Sequence, residues 1–376
     1  MYDAIVVGVG GMGSAAAYHL ARSGCSVLGL ERFGIAHASG SSHGSTRIIR
    51  LAYSEGPEYV PLLHAAYRYW RELEEASGQS ILRVTGSLAI GPENSGTIVG
   101  ARHACREHGL RFEELDAAEI NRRFPGYRLP SFYRGIHQPD GGYLRCEVAV
   151  EAHVAAARRY GARIVTGAHV RGWEAGGRCV RVRTEEAEFR GRKLVITAGA
   201  WVGSLLPELR SVCRPQRQVM LWTEPLRAEV FEPDRFPVFT METPGGRFYG
   251  IASDRGEGFK IGKYYHLAEE VDDADRLDRE CHAADEAVLR KGIAAYFPAA
   301  DGPTRRMAAC MFTNTPDRDF VLDRVPGREG VFVAAGFSGH GFKFASAVGR
   351  LMADFCLDRG PEWDIGRFRI APGRFS

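Results

Sequence analysis

The residues near the N-terminus that could do chemistry are the glycines of Gly8-Val9-Gly10-Gly11-Met12-Gly13, directly after the apolar run 4–7. Small, helix-forming residues follow them, and a second apolar run, 26–30, ends on Glu31. This order predicts a strand, a glycine turn, a helix and a second strand that ends in an acid, which is the dinucleotide-binding unit. A glycine-rich turn that binds no ligand is the alternative.

Each part of this unit has a physical role in binding a dinucleotide. Gly8 permits the tight turn, Gly10 lets backbone amides approach a pyrophosphate, and Gly13 allows the helix to pack closely on the strand. The N-terminus of the helix brings partial positive charge to the phosphates. Glu31 would accept hydrogen bonds from a ribose diol and would repel a 2′-phosphate, so NADP is disfavoured.

A second group of polar residues lies in the glycine-rich loop 38–45, which includes Ser42 and His43 and continues into Thr46-Arg47-Ile48-Ile49-Arg50. A loop of this length inside a compact domain is usually functional. Its serines, glycines and backbone amides suit a phosphate, and its two arginines suit an anion or a flavin. A solvated loop with ordinary surface arginines is the alternative.

Two later strand ends are also rich in small residues. An apolar strand over 192–198 ends in Gly199-Ala200-Trp201, where the backbone can pass close to a cofactor. Residues 331–343 predict a strand, a turn with Gly339 and Gly341, and the start of a helix whose N-terminus would stabilise negative charge on a flavin ring. Segments of this kind are expected in a flavoprotein of the two-dinucleotide type and are not required in a simple NAD dehydrogenase.

The whole chain has the composition of a soluble globular protein with two domains. Its 376 residues exceed one ordinary core, and 45% hydrophobic with 25% charged residues are average values. A net charge of +3 gives no sign of a nucleic-acid or membrane partner, and no apolar run is long enough to span a bilayer. Eight cysteines without CxxC pairs argue against a zinc site, so we expect no metal, reduced thiols and a cytoplasmic location.

Hydrophobic periodicity predicts the remaining elements. Residues 213–300 alternate strands with Pro- and Gly-rich turns, which suits a separate and mostly antiparallel domain. We expect helices at 59–76, 94–109, 147–160 and 274–297, strands at 82–90, 162–165 and 179–184, and a turn-rich segment at 135–143.

Four motifs occur in an informative order along the chain. They are Gly8-Val9-Gly10-Gly11-Met12-Gly13, His43-Gly44-Ser45-Thr46-Arg47-Ile48-Ile49-Arg50, Cys310-Met311-Phe312-Thr313 and Ala334-Ala335-Gly336-Phe337-Ser338-Gly339-His340-Gly341-Phe342-Lys343. In this order they resemble the family of monomeric sarcosine oxidase and N-methyltryptophan oxidase, which are D-amino-acid-oxidase-like flavoproteins. The resemblance runs essentially end to end, and the last three motifs are far more specific than the glycine turn.

The resemblance and the predicted elements together imply an α/β fold with two domains. Segments 1–82, 141–212 and 305–376 would form a doubly wound, Rossmann-like domain that binds FAD. Segments 83–140 and 213–304 would form an α+β substrate domain with a mostly antiparallel sheet.

The resemblance also implies which residues contact the cofactor. Cys310 would carry FAD covalently through its 8α carbon, whereas the residue type alone suggests a buried structural thiol. Arg47 would lie against the flavin with His43 close by, and Thr46 and the turn around Gly339 would contact the cofactor. The expected cofactor-binding residues are Gly8, Gly10, Gly11, Met12, Gly13, Glu31, Ser42, His43, Thr46, Arg47, Gly199, Trp201, Cys310, Gly339, Gly341 and Lys343.

On the substrate side, the resemblance implies that Arg50 and Lys343 hold a carboxylate and that Tyr249 lines the pocket. Lys260 matches a lysine that faces the flavin and promotes its reaction with oxygen. The first electron makes superoxide from O₂, and a cation about 4 Å away stabilises that anion by roughly 4 kcal/mol at an effective dielectric near 20.

The sequence departs from the family pattern at three positions around the substrate. Tyr264 stands where sarcosine oxidase has a histidine, and His266, two residues further on, would face the same side if the strand continued. Thr240 replaces a methionine, and Phe312 replaces a tyrosine. These differences concern the identity of the substrate more than the reaction.

The resemblance thus predicts a monomeric FAD enzyme that oxidises an N-methyl amino acid, such as sarcosine or a relative, to an imine and reduces O₂ to hydrogen peroxide. The residues expected to act in catalysis are Lys260, Arg47, Arg50, Lys343, Tyr249 and His266. The alternatives are a dehydrogenase of the same fold with another electron acceptor, an NAD-linked dehydrogenase and a non-catalytic FAD-binding scaffold.

Overall fold

A computed structural model describes residues 1–177, 179–371 and 373–375, and its strands form three sheets. The strands are β1 (Tyr2–Val7), β2 (Val27–Leu30), β3 (Thr46–Ile49), β4 (Leu82–Val84), β5 (Ser87–Pro92), β6 (Glu113–Asp116), β7 (Tyr133–Gln138), β8 (Gly142–Arg145), β9 (Arg163–Val165), β10 (Val170–Gly176), β11 (Cys179–Thr184), β12 (Glu188–Ile196), β13 (Arg214–Thr223), β14 (Val238–Thr243), β15 (Gly246–Ile251), β16 (Phe259–Lys263), β17 (Thr304–Asn314), β18 (Val321–Arg324) and β19 (Val331–Ala335). The helices are α1 (Gly11–Arg22), α2 (Val60–Ser77), α3 (Gly96–Glu107), α4 (Ala117–Arg123), α5 (Cys146–Arg159), α6 (Val202–Leu205), α7 (Ala283–Tyr296) and α8 (Ala345–Cys356).

The first sheet is built around β1, which pairs in parallel with β2 on one side and with β12 on the other. Strands β9 and β19 extend this parallel core, and the antiparallel pair β10 and β11 shares one edge of β12 with β19. Both faces of β1 are buried: Ala4 and Val6 pack toward the helices, whereas Ile5 and Val7 pack on the opposite side. A strand that is buried on both faces is typical of a parallel sheet between two layers.

The glycine turn after β1 determines how closely α1 lies on the sheet. Gly8 has a φ of +84°, a backbone conformation that residues with a Cβ rarely adopt. A Cβ at Gly13 would lie 1.8 Å from the carbonyl oxygen of Gly8, so only glycine lets the helix start this close to the strand. The same principle brings α8 onto α1, because a Cβ at Gly349 would lie 2.3 Å from that of Ala15. The predicted strand, turn, helix and strand are confirmed.

The second sheet has eight strands in the order β17-β13-β16-β15-β14-β5-β7-β6, all antiparallel to their neighbours except the pair β14 and β5. One face packs on α7 and an aromatic core that includes Phe236, Phe239, Phe259 and Phe297. Strand β17 pairs with β13 along its length, although the predicted segment 305–376 assigns it to the FAD-binding part. The small third sheet, β3-β8-β4, lies along the chain between the segments that form the two large sheets.

The helix predicted over 274–297 is shorter, because α7 begins only at Ala283, and two strand regions also differ from the sequence predictions. The strand predicted over 82–90 is divided into β4 and β5 at Gly86, whose φ is +77°. The turn-rich segment predicted over 135–143 is wrong, because it contains most of β7 and the start of β8, joined by a short turn at 139–141. Glycine and aspartate residues at that turn suggested an irregular segment, but they only connect the two strands.

The described residues also show three general properties of the protein. None of its helices combines the length and the apolar character that a membrane crossing needs. The described part of the chain holds no cluster of three or more His, Cys, Asp or Glu side chains placed to bind a metal ion. All eight cysteines are free thiols.

Candidate active site

A cavity of about 580 Å³ runs from the carboxyl ends of β1 and β2 to the second sheet. Residues from both large sheets line it, so it connects the nucleotide-binding turn with the aromatic residues of β15 and β17. The predicted site residues that line it are Gly8, Gly10, Gly11, Met12, Glu31, Ser42, Arg47, Gly199, Trp201, Tyr249, Cys310, Gly339, Gly341 and Lys343.

The acid at the end of β2 is fixed by the glycine turn. One carboxylate oxygen of Glu31 accepts a hydrogen bond from the backbone N–H of Val9 at 2.8 Å, and the other accepts one from Phe33 at 2.9 Å. Burial raises the pKa of this carboxyl, but hydrogen bonds from His37 and the two amides outweigh it and lower the pKa below its usual value. Glu31 is therefore an ionised acceptor at the cavity, as a ribose diol requires.

The N-terminus of α1 fits a pyrophosphate. Its first-turn amides are not capped by the side chain of the preceding residue, because that residue is Gly10. The N–H of Gly11 donates to Oγ of Ser42 at 3.1 Å, which ties the loop 38–45 to the helix start. A helix N-terminus whose preceding residue has no side chain, beside an ionised acid, forms a site for a dinucleotide.

A contact between distant segments also lines the cavity. Asp275 accepts hydrogen bonds from Arg32 at 2.7 and 3.0 Å and from the indole N–H of Trp201 at 2.7 Å. All three residues line the cavity. Trp201, at one of the small-residue strand ends singled out in the sequence, thus links β12 to the loop that precedes α7.

Arg47 and Cys310 meet in another part of the cavity lining. Nη2 of Arg47 lies 3.5 Å from Sγ of Cys310 and donates to the carbonyl oxygen of Ser41 at 3.1 Å. Nη1 donates to the carbonyl oxygen of Thr46 at 2.9 Å. The guanidinium is therefore fixed beside a thiol that is only 3% exposed, where it attracts negative charge that develops on the sulfur.

Lys260 lies one layer behind the cavity wall. Its ammonium donates to the carbonyl oxygens of Gly44 and Thr46 at 2.7 and 2.6 Å and lies 5.0 Å from the ring centre of Trp222. Lys260 is 1% exposed, and burial together with the charge of Arg47 lowers its pKa to about 7. The same two causes lower the pKa of the neighbouring His43 to about 3.

Lys343 lies in the short 3-10 turn that precedes α8, where it lines the cavity. Its ammonium donates to the carbonyl oxygen of His340 at 2.7 Å and lies 5.3 Å from the ring centre of Tyr53. Burial and the charge of Arg50 lower its pKa to about 7, and burial lowers the pKa of His340 to about 3. Lys343 is therefore a cation that a bound anion would stabilise.

The other predicted carboxylate ligand, Arg50, already has an internal partner. Glu55 accepts two hydrogen bonds from its Nη2, at 3.0 and 2.7 Å, and Nη1 donates to the carbonyl oxygen of Ala52 at 2.7 Å. Burial raises the pKa of Glu55, but Arg50 and Arg247 outweigh it and lower the pKa far below its usual range. In this arrangement, Arg50 is not among the described residues that line the cavity.

Aromatic rings form the wall of the cavity on the side of the second sheet. The rings of Tyr249 and Tyr264 meet edge to face with centres 5.3 Å apart, and Phe312 lies 6.0 Å from Tyr264. The rings of Tyr249 and Phe312 each pack directly on a glycine. A Cβ at Gly262 would lie 2.4 Å from the Tyr249 side chain, and a Cβ at Gly339 would lie 2.4 Å from the Phe312 ring. These three residues, Tyr249, Tyr264 and Phe312, are the aromatic wall.

The expectation that the strand continues to His266 and turns its side chain toward the site is wrong. Strand β16 ends at Lys263, and His266 lies in the following turn with a φ of +22°. Its Nε2 lies 2.7 Å from Oδ1 of Asp285, which also accepts two hydrogen bonds from Arg217. His266 is absent from the described residues that line the cavity, whereas Tyr264 lines it.

The remaining predicted residues have supporting positions. Gly13 and Thr46 lie next to residues that line the cavity, and Thr46 contacts Lys260 through its carbonyl. Thr240 is buried opposite Tyr249 on β14, and its hydroxyl has no hydrogen-bond partner among the described residues.

Two charged residues that the sequence analysis missed belong to this region. Arg247 precedes Tyr249 by two positions on β15, so the period of a strand could have placed it on the same face. Glu55 lies in an irregular segment after β3, where no local pattern connects it with Arg50. Its position depends on the tertiary fold.

Comparison with known proteins identifies the family of the chain. The family model for FAD-dependent oxidoreductases matches residues 3–355. Monomeric sarcosine oxidase of Bacillus sp. (strain B-0618) is 38% identical over 98% of this chain and 95% of its own, and N-methyl-L-tryptophan oxidase of Citrobacter koseri is 35% identical over 98% of both.

Solved structures agree on the fold. The open form of NikD, described as an unusual amino acid oxidase essential for nikkomycin biosynthesis, has a TM-score of 0.86 at 26% identity and covers 98% of this chain and 97% of its own. Glycine oxidase from Geobacillus kaustophilus, at 20% identity, has a TM-score of 0.84 over 98% of its own chain and 99% of this one. The chain belongs to the D-amino-acid-oxidase-like family of FAD-dependent oxidoreductases.

Proposed function

We propose that the protein is an FAD-dependent oxidase of secondary amines, acting on N-methyl amino acids and transferring electrons to O₂. The observation that carries this proposal is that one cavity is lined both by an ionised acid and a helix N-terminus and by Lys343 and the aromatic wall. Relatives named sarcosine oxidase and N-methyltryptophan oxidase, similar over nearly the whole chain, support the substrate class.

FAD, when bound, accepts two electrons from the substrate and delivers them to O₂. The amine loses two electrons and two protons to become an imine, and O₂ gains both to become hydrogen peroxide. Water then hydrolyses the imine to an amino acid and an aldehyde. We propose that FAD is attached covalently through Cys310, which the guanidinium of Arg47 supports by its position 3.5 Å from the sulfur.

Binding of the substrate carboxylate is assigned to Arg50 and Lys343. An ammonium and a guanidinium on either side of a carboxylate form charge-assisted hydrogen bonds and fix its direction. In the free protein Nη2 of Arg50 donates to the carboxylate of Glu55, so the substrate carboxylate must compete with Glu55 for that guanidinium. Fixing the carboxylate orients the carbon–hydrogen bond that is to be oxidised, and positioning of this kind contributes much of the catalysis.

The charges around the site also favour the reactive form of the substrate. An amine must be neutral to lose electrons, and nearby cations lower the pKa of a bound ammonium. Lys343 and Arg47 line the cavity and supply this effect. Lys260, behind the wall, is assigned to the reaction with O₂, because a buried cation stabilises superoxide.

We further propose that the enzyme acts as a monomer in the cytoplasm. The names of the sarcosine oxidase relatives support the monomer, and the eight free cysteines support a reducing compartment.

The test is a panel of N-methyl, cyclic and primary amino acids mixed with the purified protein without oxygen. We expect loss of the yellow flavin colour with N-methyl amino acids, and hydrogen peroxide when air is readmitted. Preference for primary amino acids would overturn the substrate class. If the bleached flavin were reoxidised by an artificial electron acceptor but not by air, the protein would be a dehydrogenase instead.

A further inference from the structure

Arg247 is a cation on the cavity side of β15 that the proposed reaction does not use. Residues Arg247, Tyr249 and Ile251 alternate along this strand and therefore share one face, and the latter two line the cavity. Arg247 thus continues this row by one step toward the start of the strand, just beyond the described residues that line the cavity. Successive members of such a row are about 7 Å apart.

The guanidinium of Arg247 is held over the aromatic wall. Its central carbon lies 3.9 Å from the ring centre of Tyr264, so the cation lies over a residue that lines the cavity. Its one ionic contact among the described residues is with Glu55, at 3.5 Å, and it donates no hydrogen bond from its side chain to any of them. The side chain is 25% exposed, so its donors are available to a ligand.

The charges around Glu55 do not balance. Arg50, Arg247 and Lys343 contribute three basic groups, and Glu55 is the one carboxylate paired with them in the described part of the site. His340, the other basic group that faces Glu55, is neutral because burial lowers its pKa to about 3. A substrate α-carboxylate raises the number of anions to two against three basic groups, so the site still has one positive charge in excess.

We propose that Arg247 forms a subsite for a second anionic group, so that the preferred substrates are N-alkyl amino acids with an acidic side chain. This inference rests on the proposed function and deepens it. The α-carboxylate binds Arg50 and Lys343, and the side-chain carboxylate binds the guanidinium above Tyr264. Arginine suits this role because its planar group presents paired donors to a carboxylate while it stacks on a ring.

The experiment compares N-methylglutamate with its neutral isostere N-methylglutamine. The dissociation constant of each is obtained from the concentration dependence of anaerobic flavin reduction. We expect N-methylglutamate to bind about tenfold more tightly to the wild-type enzyme, since hydrogen bonds between charged groups are the stronger ones. In Arg247→Met this ratio should fall to about one, and Arg247→Lys should retain part of it.

Arg324→Met is the matched control. Arg324 also stacks on a ring, that of Phe332 at 5.1 Å, and also has a long ionic contact, with Asp358 at 3.6 Å, but it lies on β18 outside the site. This variant should keep the wild-type ratio.

The outcomes separate this inference from the proposed function. If sarcosine or N-methylglutamine bleaches the flavin and the wild type shows no preference for N-methylglutamate, the subsite is excluded and the oxidase remains. A preference that persists in Arg247→Met also excludes the subsite. If Arg247→Met does not fold, the wild-type ratio alone decides. If no N-methyl amino acid bleaches the flavin, the proposed function itself fails.

Discussion

The carboxylate of Glu55 lies on the guanidinium of Arg50, with both of its oxygens within 3.0 Å of Nη2. The two side chains are 13% and 3% exposed, respectively, so the pair is protected from water. A buried arginine needs an anion, and in the free protein the chain provides one. A substrate carboxylate must compete with it.

Replacement of Glu55 by glutamine should therefore strengthen carboxylate binding. The amide is a weaker partner for Arg50, and we expect the Kd for a non-oxidisable carboxylate to fall about tenfold. The Tm of the free protein should also fall, because the variant leaves a buried cation without an anion. Titration of the flavin absorbance measures the first effect and thermal unfolding the second.

Glu58→Gln is the control for Glu55→Gln. Glu58 follows in the same segment, but its carboxylate is 56% exposed and pairs with Arg367 at the surface. This variant should change neither the Kd nor the Tm appreciably, since exposed ion pairs contribute little. Unchanged or weaker carboxylate binding in Glu55→Gln would show that Glu55 does not compete with the substrate.

A second prediction concerns the covalent attachment of FAD to Cys310. Wild-type protein precipitated with acid should give a yellow pellet that fluoresces on a denaturing gel. In Cys310→Ala the colour should appear in the supernatant. Cys146→Ala removes another buried thiol and should retain the yellow pellet. A colourless wild-type pellet would contradict the tether.

Arg47 should influence the same reaction. Its guanidinium lies 3.5 Å from Sγ of Cys310, where it stabilises negative charge. Arg47→Met should yield protein with a lower fraction of covalent FAD after the same incubation, and the gel fluorescence per mole of protein measures it. An undiminished fraction would separate Arg47 from the attachment.

The sequence was sufficient for the parts of the molecule that depend on local geometry. The role of Gly13 could be predicted because a glycine at this position lets the helix pack closely on the strand. The structure confirms it, since a Cβ at Gly13 would lie 1.8 Å from the carbonyl oxygen of Gly8. Glu31 could be placed because the end of β2 lies beside the end of β1 in any parallel pair.

The positions of the charged and titratable residues around the proposed substrate site could not be predicted from local sequence patterns. His266 was expected on the face of Lys260, but the strand ends at Lys263 and a turn directs the histidine to Asp285. The pairing of Arg50 with Glu55 joins two ends of an irregular segment, and its geometry depends on the surrounding core. Contacts of this kind follow from tertiary packing and leave no periodic signal.

Lys343 leads to a prediction about pH. Burial and Arg50 lower its pKa to about 7, so the side chain is charged below that pH and neutral above it. Carboxylate binding should therefore weaken as the pH rises through and above 7, and a bound anion shifts this decline upward because it stabilises the charged form. The rate of flavin reduction at saturating substrate should instead rise with pH, because a neutral amine reacts.

Lys343→Met should show weaker carboxylate binding, by about tenfold at low pH, and a Kd that no longer depends on this titration. Lys193→Met, which removes a lysine that pairs with Asp358 at the surface, should behave as the wild type. If the wild-type Kd stayed constant from about pH 6 to about pH 9, carboxylate binding would be assigned to other groups.

The last prediction concerns Lys260 and oxygen. Its buried ammonium donates to the carbonyl oxygens of Gly44 and Thr46 and lies 3.5 Å from Oγ1 of Thr46, so these contacts fix the position of its charge. A fixed cation near the point where O₂ becomes superoxide lowers the barrier for that step by up to roughly 4 kcal/mol, which corresponds to about a thousandfold in rate. Lys260→Met should therefore slow reoxidation of the reduced enzyme by a large factor while its anaerobic reduction changes little.

The pH dependence of reoxidation gives an independent check. Burial and Arg47 lower the pKa of Lys260 to about 7, so the wild-type rate should fall as the pH rises above neutrality and the cation is lost. The rate in Lys260→Met should be low and flat. Lys263→Met is the matched control, because Lys263 lies on the opposite face of the same strand and should retain both the rate and the slope. If Lys260→Met slowed reduction and reoxidation equally, the side chain would act by positioning the loop at Gly44 rather than by its charge.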